Sequence, residues 1–270
     1  MDKKVVIITG ASSGIGYASA LKFLSSGYRV VLAARSISDI NLSSIEQYKS
    51  DVLTVKTDVS IEQDCENLIN QTIEQFGRID ILVNNAGISM RALFKDVDLD
   101  VIRRLMDVNF WGTVYCTKYA LPYLLKTKGS VVVVSSIAGF KGLPARVGYT
   151  TSKYALHGFV DVLRNENLKT GLHVMLFAPG FTASNIRNSA LLEDGSEQGA
   201  SPRKEEKMMS SEKVAEYLYT AVLKRKRQVI LTSIGKATVF MNKLFPKFVD
   251  KRIFQSFAKE PDSPLAKFKN

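Results

Sequence analysis

Short apolar runs rich in β-branched residues alternate along this chain with segments of helical period. Such alternation is typical of a parallel sheet wound on both faces, because each helix returns the chain to the start of the next strand. Strands that are apolar almost throughout indicate a sheet covered on both sides. The strand runs are Val5–Thr9, Arg29–Ala33, Val52–Lys56, Asp80–Val83, Ser130–Val134, His173–Phe177 and Gln228–Thr232, and the helical segments include Ile15–Ser26, Ile61–Phe76, Val101–Lys126 and Tyr149–Leu168.

The alternation predicts an α/β fold built on one Rossmann-like, doubly wound parallel sheet of about seven strands. No repeat or linker interrupts residues 1–235, so these residues are predicted to form one domain. Residues 236–270 interleave apolar and basic residues at helical spacing and predict an amphipathic helical extension of that domain, which Pro246 kinks or divides. Ala183–Ser210 shows little periodicity and is predicted to be a long mobile loop at the carboxyl edge of the sheet.

The composition limits the classes of protein to which the chain can belong. Of its 270 residues, 46% are hydrophobic and 23% are charged, as in an ordinary soluble globular protein. No apolar run approaches the roughly 20 residues that span a bilayer, and the strand pattern begins at Val5, which leaves no room for a signal peptide. Two cysteines and two histidines are too few for a disulfide framework, a Ser-His-Asp triad or a metal cluster. We therefore expect a cytoplasmic protein with no metal site.

The net charge of +11 has two interpretations. One is a solvated basic surface, since lysine and arginine are scattered along most of the chain. The other is attraction to an anionic partner, such as a phosphorylated cofactor or an anionic lipid surface. Nucleic acid is not an expected partner, because no nucleic-acid-binding module or aromatic–basic stacking pattern accompanies the charge.

A glycine-rich turn joins the first predicted strand to the first predicted helix. The free N–H groups and the positive dipole end of the helix start favour a pyrophosphate, and the glycines allow the backbone to approach it closely. The turn could be merely a tight connection, but its position at the first strand-to-helix junction favours a dinucleotide. The turn reads Thr9-Gly10-Ala11-Ser12-Ser13-Gly14-Ile15-Gly16, and residues 10–16 are predicted to bind the cofactor.

The end of the second predicted strand indicates which dinucleotide is preferred. Enzymes that use NAD usually place an acid there to bind the ribose hydroxyl. This chain has Ala34, which offers no carboxylate to repel a 2′-phosphate, followed by Arg35, which offers a guanidinium to bind one. We therefore predict NADP(H) in preference to NAD(H); the alternative is that Arg35 is a solvent-facing residue at the start of a loop.

Tyr149 and Lys153 stand one helical turn apart and on the same face of a predicted helix. An ammonium beside a phenol favours the phenolate, so we expect Lys153 to lower the pKa of Tyr149 toward the range useful for proton transfer. The spacing alone is common on surface helices, and its weight comes from the other motifs.

Taken together, these motifs resemble the short-chain dehydrogenase/reductase family over about residues 4–235. Ser136 precedes Tyr149 by thirteen residues, which is the spacing of many members. One departure is Ser13, where many NADP-preferring members carry a basic residue. The matching motifs are the glycine turn, Asn84-Asn85-Ala86-Gly87 after the fourth strand, Asn109 at the start of a long helix, Ser136 after the fifth strand, Tyr149-x-x-x-Lys153, and Pro179-Gly180 with Thr182 after the sixth strand.

The resemblance implies a role for each matching residue. Tyr149 would exchange a proton with the carbonyl or alcohol oxygen, Ser136 would stabilise charge on that oxygen, and Lys153 would lower the pKa of Tyr149 and hold the nicotinamide ribose. Asn109 would position a water molecule that links Lys153 to solvent. The remaining implied contacts are Asp58 and Val59 at the adenine, Asn85, Ala86 and Gly87 at the floor of the cofactor cleft, Pro179 and Gly180 beside it, and Thr182 at the nicotinamide carboxamide, while Asn84 would tie neighbouring strands together.

The sequence therefore predicts an NADP(H)-dependent oxidoreductase that interconverts a ketone or aldehyde with its alcohol. The tail is similar to that of members acting on steroids, retinoids and other lipid alcohols. With apolar residues near the expected cleft, a bulky apolar substrate is predicted (Phe140, Leu143, Ile186, Leu191 and Leu192). The alternatives are a non-catalytic NADP-binding sensor or scaffold, and a peripheral membrane protein attached weakly through its tail. The resemblance further implies a homodimer or homotetramer.

Overall fold

The computed structural model describes residues 3–183, 185–202 and 208–268, which form seven parallel strands and the helices around them. The strands lie in the order β3-β2-β1-β4-β5-β6-β7, and all pairings are parallel. This sheet confirms the predicted fold class. The strands are β1 (Val5–Thr9), β2 (Arg29–Ala34), β3 (Val52–Lys56), β4 (Ile81–Asn84), β5 (Ser130–Val134), β6 (His173–Ala178) and β7 (Gln228–Ile230). The described residues do not include residues 1, 2, 269 and 270 at the two ends of the predicted domain and tail. They also do not include residues 184 and 203–207 of the predicted loop.

Helices cover both faces of the sheet because its strands are apolar on both sides. Residues of β1 alternate between two cores: Val5 and Ile7 pack against the helices on one face of the sheet, whereas Val6 and Ile8 pack against those on the other. The helices are α1 (Gly14–Ser25), α2 (Glu62–Phe76), α3 (Leu99–Met106), α4 (Gly112–Thr127), α5 (Val147–Glu166), α6 (Ser211–Leu223), α7 (Ser233–Leu244) and α8 (Pro246–Ala258).

The long predicted helix Val101–Lys126 is two helices in the structure. A π-helical turn, Asp107–Trp111, joins α3 to α4. Asn109 lies in this turn and not at the start of a helix, which corrects its predicted placement. Single π-helical turns are frequent at functional sites, because they displace one residue from the regular helical face.

The strand order reverses at β1, which pairs with β2 on one side and with β4 on the other. In open sheets of this kind the crevice at the carboxyl ends of the strands around the reversal is where ligands bind. The glycine turn follows β1, and the Asn84-Asn85-Ala86-Gly87 motif begins at the last residue of β4. The fold therefore brings these two predicted motifs to the same crevice.

The C-terminal extension packs on the domain as two helices. Pro246 is the first residue of α8, where its missing N–H costs no helical hydrogen bond, and the predicted division at this proline is confirmed. Phe257 and Leu265 form a small apolar cluster with Leu93 and Leu143, which lie in the loops after β4 and before α5. No helix among the described residues has the length and apolar character needed to cross a bilayer.

The described part of the predicted mobile loop after β6 is folded against the segment that follows β4. The backbone N–H of Arg91 donates to the carbonyl of Leu191 at 2.7 Å, and that of Leu191 donates to the carbonyl of Ser89 at 2.9 Å. Leu191 is buried with Met90 in a further apolar cluster, against which Tyr149 packs. This part of the loop thus forms a wall beside the start of α5, where the sequence indicated only a lack of periodicity.

Candidate active site

The turn between β1 and α1 is packed too closely for side chains at two of its glycines. Gly10 has φ +63°, and a Cβ there would lie 2.8 Å from the Cα of Ala86. A Cβ on Gly16 would lie 2.2 Å from the carbonyl oxygen of Gly10. Ser13 precedes α1 in an extended conformation and in the described structure does not cap the helix with its side chain. The first amide groups of α1 are therefore not used by a Ser13 cap, and helix starts of this kind bind anions.

The residues after β4 are hydrogen-bonded to the glycine turn. The Thr9 hydroxyl accepts hydrogen bonds from the backbone N–H groups of Asn85 and Ala86, both at 3.0 Å. The Asn85 amide donates to the carbonyls of Thr9 at 2.9 Å and Gly10 at 3.2 Å. Asn85 and Ala86 thus lie against the glycine turn, and the Asn85 side chain also fixes the shape of that turn. Thr9 was not among the predicted site residues, although its place before Gly10 was visible in the motif.

Among the described residues, the side-chain hydrogen bond of Asn84 goes to a helix and not to a neighbouring strand. Its side-chain nitrogen donates to the hydroxyl of Thr117 on α4 at 3.0 Å, and the residue is buried. The expectation that Asn84 ties adjacent strands is therefore corrected: the hydrogen bond of this side chain fastens β4 to the helix that packs on it.

The ends of β2 and β3 lie side by side on the other half of the crevice. Arg35 is exposed directly after β2, and the backbone N–H of Thr57 donates to the carbonyl of Ala34 at 2.9 Å. The Asp58 carboxylate accepts hydrogen bonds from the backbone and hydroxyl of Ser60, at 3.0 and 2.7 Å. Asp58 and Arg35 therefore lie on neighbouring strand ends.

Val59 is the most enclosed of the residues predicted at the adenine. It is 7% exposed, and a Cβ on Gly112 would lie 2.8 Å from its side chain. Its carbonyl oxygen faces the thiol of Cys65 at 3.5 Å. The side chain of Val59 is thus held between α2 and α4.

Lys153 is buried below Tyr149 on α5. Its ammonium donates to the carbonyl of Val134, the last residue of β5, at 2.9 Å and lies 5.8 Å from the centroid of the Tyr149 ring. Only 4% of Lys153 is exposed, and burial lowers its pKa to about 8 because a buried ammonium loses the stabilisation that water provides. A Cβ on Gly87 would lie 3.5 Å from the same nitrogen, so the floor of the crevice reaches Lys153.

The pKa of Tyr149 is raised, which corrects the expected direction. Burial of the phenol is the largest influence and favours its neutral form. A hydrogen bond with Ser136 and the positive charges of Arg146 and Arg187 act in the opposite sense and lower the pKa, but they do not outweigh burial. The charges that favour the phenolate are thus two arginines that the motif did not indicate.

Asn109 connects the crevice floor to α5. Its side-chain oxygen accepts the N–H of Ile88 at 2.8 Å, and its nitrogen donates to the carbonyl of Ile88 at 3.0 Å and to the hydroxyl of Ser152 at 2.9 Å. Ser152 in turn donates to the carbonyl of Tyr149 at 2.9 Å. Asn109 is fully buried, and its amide holds the segment after Gly87 against the helix that carries Tyr149.

The loops after β5 and β6 complete the described site. Ser136 is extended, and its hydroxyl accepts the N–H of Ala138 at 3.2 Å in addition to its hydrogen bond with Tyr149. After Pro179, a Cβ on Gly180 would lie 2.8 Å from the side chain of Thr232, so this loop is held close to the start of α7. Thr182 is 4% exposed, and its hydroxyl donates to the carbonyl of Gly180 at 3.2 Å.

The structure therefore places the predicted site residues in three groups along one edge of the sheet. The first group is linked by the contacts given above and comprises Asn109, Ser136, Tyr149 and Lys153. The second follows the ends of β1, β2, β3 and β4 and comprises Gly10, Ala11, Ser12, Ser13, Gly14, Ile15, Gly16, Arg35, Asp58, Val59, Asn85, Ala86 and Gly87, while Pro179, Gly180 and Thr182 follow β6. Tyr149 and Lys153, called the dyad below, lie beside a glycine-lined crevice. This arrangement is suited to proton transfer next to a bound dinucleotide.

Residues 4–194 match the family model described as short chain dehydrogenase. The chain belongs to this family. Its fold also resembles that of a short-chain dehydrogenase/reductase from Burkholderia phymatum in complex with NAD, with a TM-score of 0.81 and 23% identity over 92% of this chain and 95% of that one. An alcohol dehydrogenase from Thermococcus sibiricus complexed with 5-hydroxy-NADP gives a TM-score of 0.76 and 25% identity over 87% and 98% of the two chains.

The relatives by sequence carry names from two groups of the family. An 11-beta-hydroxysteroid dehydrogenase A of Sesamum indicum is 41% identical over 187 residues, which are 68% of this chain and 53% of that one. The chain thus spans about half the length of that protein. Dehydrogenase/reductase SDR family member 7B of Rattus norvegicus is 33% identical over 253 residues, 90% of this chain and 78% of that one. These matches agree with the family that the model of residues 4–194 shows.

Proposed function

We propose that this protein is an NADP(H)-dependent oxidoreductase that reduces a ketone or aldehyde to an alcohol, or catalyses the reverse reaction. The observation that carries the proposal is the meeting of Ser136, Tyr149 and Lys153 at the carboxyl edge of the sheet, beside the glycine turn. Relatives named as hydroxysteroid dehydrogenases support a substrate that interconverts an alcohol and a carbonyl.

The residues of the crevice fit a dinucleotide. The turn from Gly10 to Gly16 carries no side chain at the positions closest to the crevice floor, and the start of α1 offers amide groups for a pyrophosphate. In this proposal Arg35 holds the 2′-phosphate, Lys153 the nicotinamide ribose and Thr182 the carboxamide. A bound nicotinamide supplies or accepts the hydride.

Tyr149 is the proposed general acid and base. Its raised pKa keeps the phenol protonated at neutral pH, which is the form that donates a proton to a carbonyl oxygen during reduction. The Ser136 hydroxyl, which already bonds with Tyr149, would donate to the same oxygen and stabilise its developing charge. Lys153, with a pKa of about 8, retains most of its positive charge at neutral pH and would favour the phenolate that remains after transfer.

The proposed substrate is bulky and apolar next to its carbonyl group. Leu143 packs with the C-terminal extension. Leu191 is buried in a separate apolar cluster against which Tyr149 packs, and Leu192 lines a cavity of about 540 Å³. Phe140 packs edge-on against His157, with ring centroids 4.4 Å apart. Of these residues, Leu191 packs in the apolar cluster that Tyr149 joins and supports an apolar substrate most directly.

The test is NADPH oxidation with a panel of carbonyl compounds graded by apolar size, including steroids and acyl thioesters. For the best substrate, Tyr149→Phe is expected to lower kcat by about 10²- to 10⁴-fold, which is the usual contribution of a general acid, with the Kd for NADPH nearly unchanged. Tyr217→Phe is the matched control, since Tyr217 lies on α6 and is 45% exposed. Substantial turnover by Tyr149→Phe would remove this residue from its role, and NADPH binding without turnover of any compound would favour the sensor or scaffold.

We also propose that the protein attaches weakly to anionic membranes through the corner between α7 and α8. Four large apolar side chains there are more than half exposed, namely Phe240, Leu244, Phe245 and Phe248. The same stretch carries the exposed basic residues Lys236, Lys243, Lys247, Lys251 and Arg252, and its acid, Asp250, is paired with Lys141. Exposed apolar residues flanked by basic ones are typical of helices that lie in the membrane interface.

A homodimer or homotetramer is the proposed assembly. Trp111, Tyr154 and Val162 are exposed by 43%, 43% and 56%. They lie at the start of α4 and along α5, on one side of the sheet. Exposed apolar residues grouped in this way mark surfaces at which proteins associate.

A further inference from the structure

The two histidines of the chain each share a hydrogen bond with a serine at one end of β5. Nδ1 of His173, the first residue of β6, lies 3.0 Å from the hydroxyl of Ser130. Nε2 of His157, on α5, lies 2.9 Å from the hydroxyl of Ser135. Ser130 begins β5, whereas Ser135 follows its last residue and directly precedes Ser136. The His157 pair therefore stands at the end of the strand where Ser136 is proposed to act.

Ser135 anchors the start of the turn that carries Ser136. Its backbone N–H donates to the carbonyl of Phe177 on β6 at 2.8 Å, and the residue is buried. Its side chain meets His157 on α5, so Ser135 is fixed to a strand and to a helix at once. One planar peptide unit joins Ser135 to Ser136, and a displacement of the first serine therefore moves the second.

The turn after Ser136 is packed against His157 too closely for a side chain at Gly139. A Cβ on Gly139 would overlap Nε2 of His157 and would lie 2.6 Å from the hydroxyl of Ser135. The 3₁₀ turn Ile137–Gly139 is thus seated on α5 at the level of the histidine–serine hydrogen bond. The imidazole supports this turn from below as well as the serine that precedes it.

Two aromatic rings hold the imidazole of His157 in its plane. Phe140, which follows the turn, packs edge-on against it with ring centroids 4.4 Å apart, and Tyr154 stacks on it with centroids 6.2 Å apart. His157 also lies four positions after Lys153 and eight after Tyr149 on α5, which places it on the helix face that carries the dyad. The direction of the hydrogen bond at Nε2 is therefore set by packing beside the proposed site.

His157 is neutral at physiological pH. Burial lowers its pKa to about 4; the charge of Asp161 opposes this shift, and the charges of Arg164 and Lys153 add to it. A neutral imidazole brings no further positive charge to Lys153, and its Nε2 either donates to or accepts from the hydroxyl of Ser135. His157 thus acts as a fixed hydrogen-bonding group and not as a carrier of protons.

We infer that His157 is a positioning residue for Ser136. Its imidazole, through Ser135 and the turn that it supports, holds the Ser136 hydroxyl where that hydroxyl bonds with Tyr149. The inference deepens the proposed function, on which it rests for the role of Ser136 in the reaction. The hydroxyl must reach both the phenol and the substrate oxygen, and a displacement of about 1 Å weakens such contacts strongly.

The experiment compares variants of the two histidines in NADPH-dependent reduction of the best substrate. His157→Phe keeps a ring and removes the hydrogen bond; it is expected to lower kcat about 10- to 100-fold, with KM and the Kd for NADPH nearly unchanged. His157→Gln carries an amide that can bond with the Ser135 hydroxyl and should restore most of kcat. His173→Phe is the matched control, because it breaks the other histidine–serine hydrogen bond, at the far end of β5, and should leave kcat unchanged.

A double-mutant cycle separates positioning from a purely structural role. In the Ser136→Ala background the hydroxyl is absent, so His157→Phe should lower kcat little further. If His157→Phe lowers kcat by the same factor in both backgrounds, the histidine acts on something other than Ser136 and the inference is overturned. A His173→Phe protein that loses kcat to the same extent as His157→Phe would overturn it too, because the loss would then follow from any broken histidine–serine pair.

A readout without turnover distinguishes failure of this inference from failure of the proposed function. In protein whose tyrosines carry carbon-13 at Cζ, the NMR signal of Tyr149, assigned with Tyr149→Phe, reports the hydrogen bond with Ser136. His157→Phe should shift this signal in the same direction as Ser136→Ala does, whereas His157→Gln and His173→Phe should leave it in place.

The two proposals thus fail in different ways. If no carbonyl compound is reduced but the Tyr149 signal shifts in His157→Phe, the proposed function fails and the positioning of Ser136 stands. If carbonyl compounds are reduced and His157→Phe matches the unaltered protein in kcat and in the Tyr149 signal, the positioning role fails and the function stands. If His157→Phe does not fold, Ser135→Ala removes the other partner of the hydrogen bond and is expected to give the same loss of kcat and the same shift.

Discussion

Burial and charge act in opposite senses on Tyr149. Burial raises its pKa, while a hydrogen bond and two arginines lower it. At Lys153 burial alone acts and lowers the pKa to about 8. The two groups therefore lie farther apart in proton affinity than their ordinary pKa values of about 10 for tyrosine and about 10.4 for lysine would place them. As the pH rises, Lys153 therefore loses its proton before Tyr149 does, and the phenol of Tyr149 stays protonated at neutral pH.

Arg35 carries the proposed cofactor preference, since it is exposed at the end of β2 and Ala34 before it is not acidic. NADPH is expected to bind much more tightly than NADH, and Arg35→Ala should narrow the gap by about tenfold, the value of one charge-assisted contact. Fluorescence titration with both cofactors measures the gap. Lys56→Ala, at the end of neighbouring β3, is the matched control for the loss of one exposed positive charge. Equal affinity of the unaltered protein for NADPH and NADH would contradict the preference.

The sequence predicted the dyad but not its surroundings. Tyr149 and Lys153 are four residues apart on one helix, so their proximity follows from helical geometry. Arg187 reaches the same place from a distant loop, and Glu260 reaches Arg91 from the tail. Contacts of this kind depend on how loops fold over the sheet edge, and the local periodicity of apolar residues does not predict them. For the same reason the direction of the Tyr149 pKa shift could not be derived from spacing.

At the scale of elements, α4 approaches the β3–α2 connection at a glycine. A Cβ on Gly112 would lie 2.8 Å from the side chain of Val59 and 2.9 Å from its carbonyl oxygen. Gly112→Ala is therefore expected to lower the free energy of unfolding by about 1–3 kcal/mol, as overpacking usually does. Gly158→Ala is the control: Gly158 lies within α5 with nothing within 4 Å of its Cβ position, and the change should add about 0.5–1 kcal/mol. Urea unfolding measures both, and equal effects would contradict the packing argument.

Element prediction succeeded where periodicity alone decides the outcome. Six of the seven strands end within one residue of their predicted ends, because apolar runs bounded by polar residues are buried in the sheet. The exception is β7, predicted as Gln228–Thr232 and observed as Gln228–Ile230 at the sheet edge. The π-helical turn at Asp107–Trp111 was missed because it shifts hydrogen bonds without breaking the apolar pattern.

The corner between α7 and α8 is the element proposed to meet a membrane. The protein is expected to sediment with anionic liposomes at low salt. The double variant Phe240→Ser with Phe248→Ser should leave most of the protein in the supernatant, since burial of each phenylalanine contributes about 1.5–3 kcal/mol. Phe94→Ser is the matched control, because Phe94 is 69% exposed but belongs to the loop after β4. Absence of binding to liposomes at low salt would end this proposal.

At the scale of the whole molecule, the C-terminal extension joins parts of the site that lie far apart in sequence. Its helices pack on Leu93 and Leu143, and Glu260 bridges Arg91 and Arg146. The same extension presents its exposed apolar corner outward.

The proposed assembly is tested at the surface of α4 and α5. Sedimentation equilibrium is expected to show a homodimer or homotetramer, because Trp111 and Val162 leave an apolar surface that association would bury. Val162→Glu places a charge in that surface and should shift the protein toward the monomer, since an unpaired charge is costly to bury. Leu223→Glu is the matched control: Leu223 is 54% exposed at the end of α6, on the other face of the sheet, and the assembly should persist. Retained NADPH binding verifies that both variants fold, and a Val162→Glu protein that sediments like the unaltered one would move the interface elsewhere.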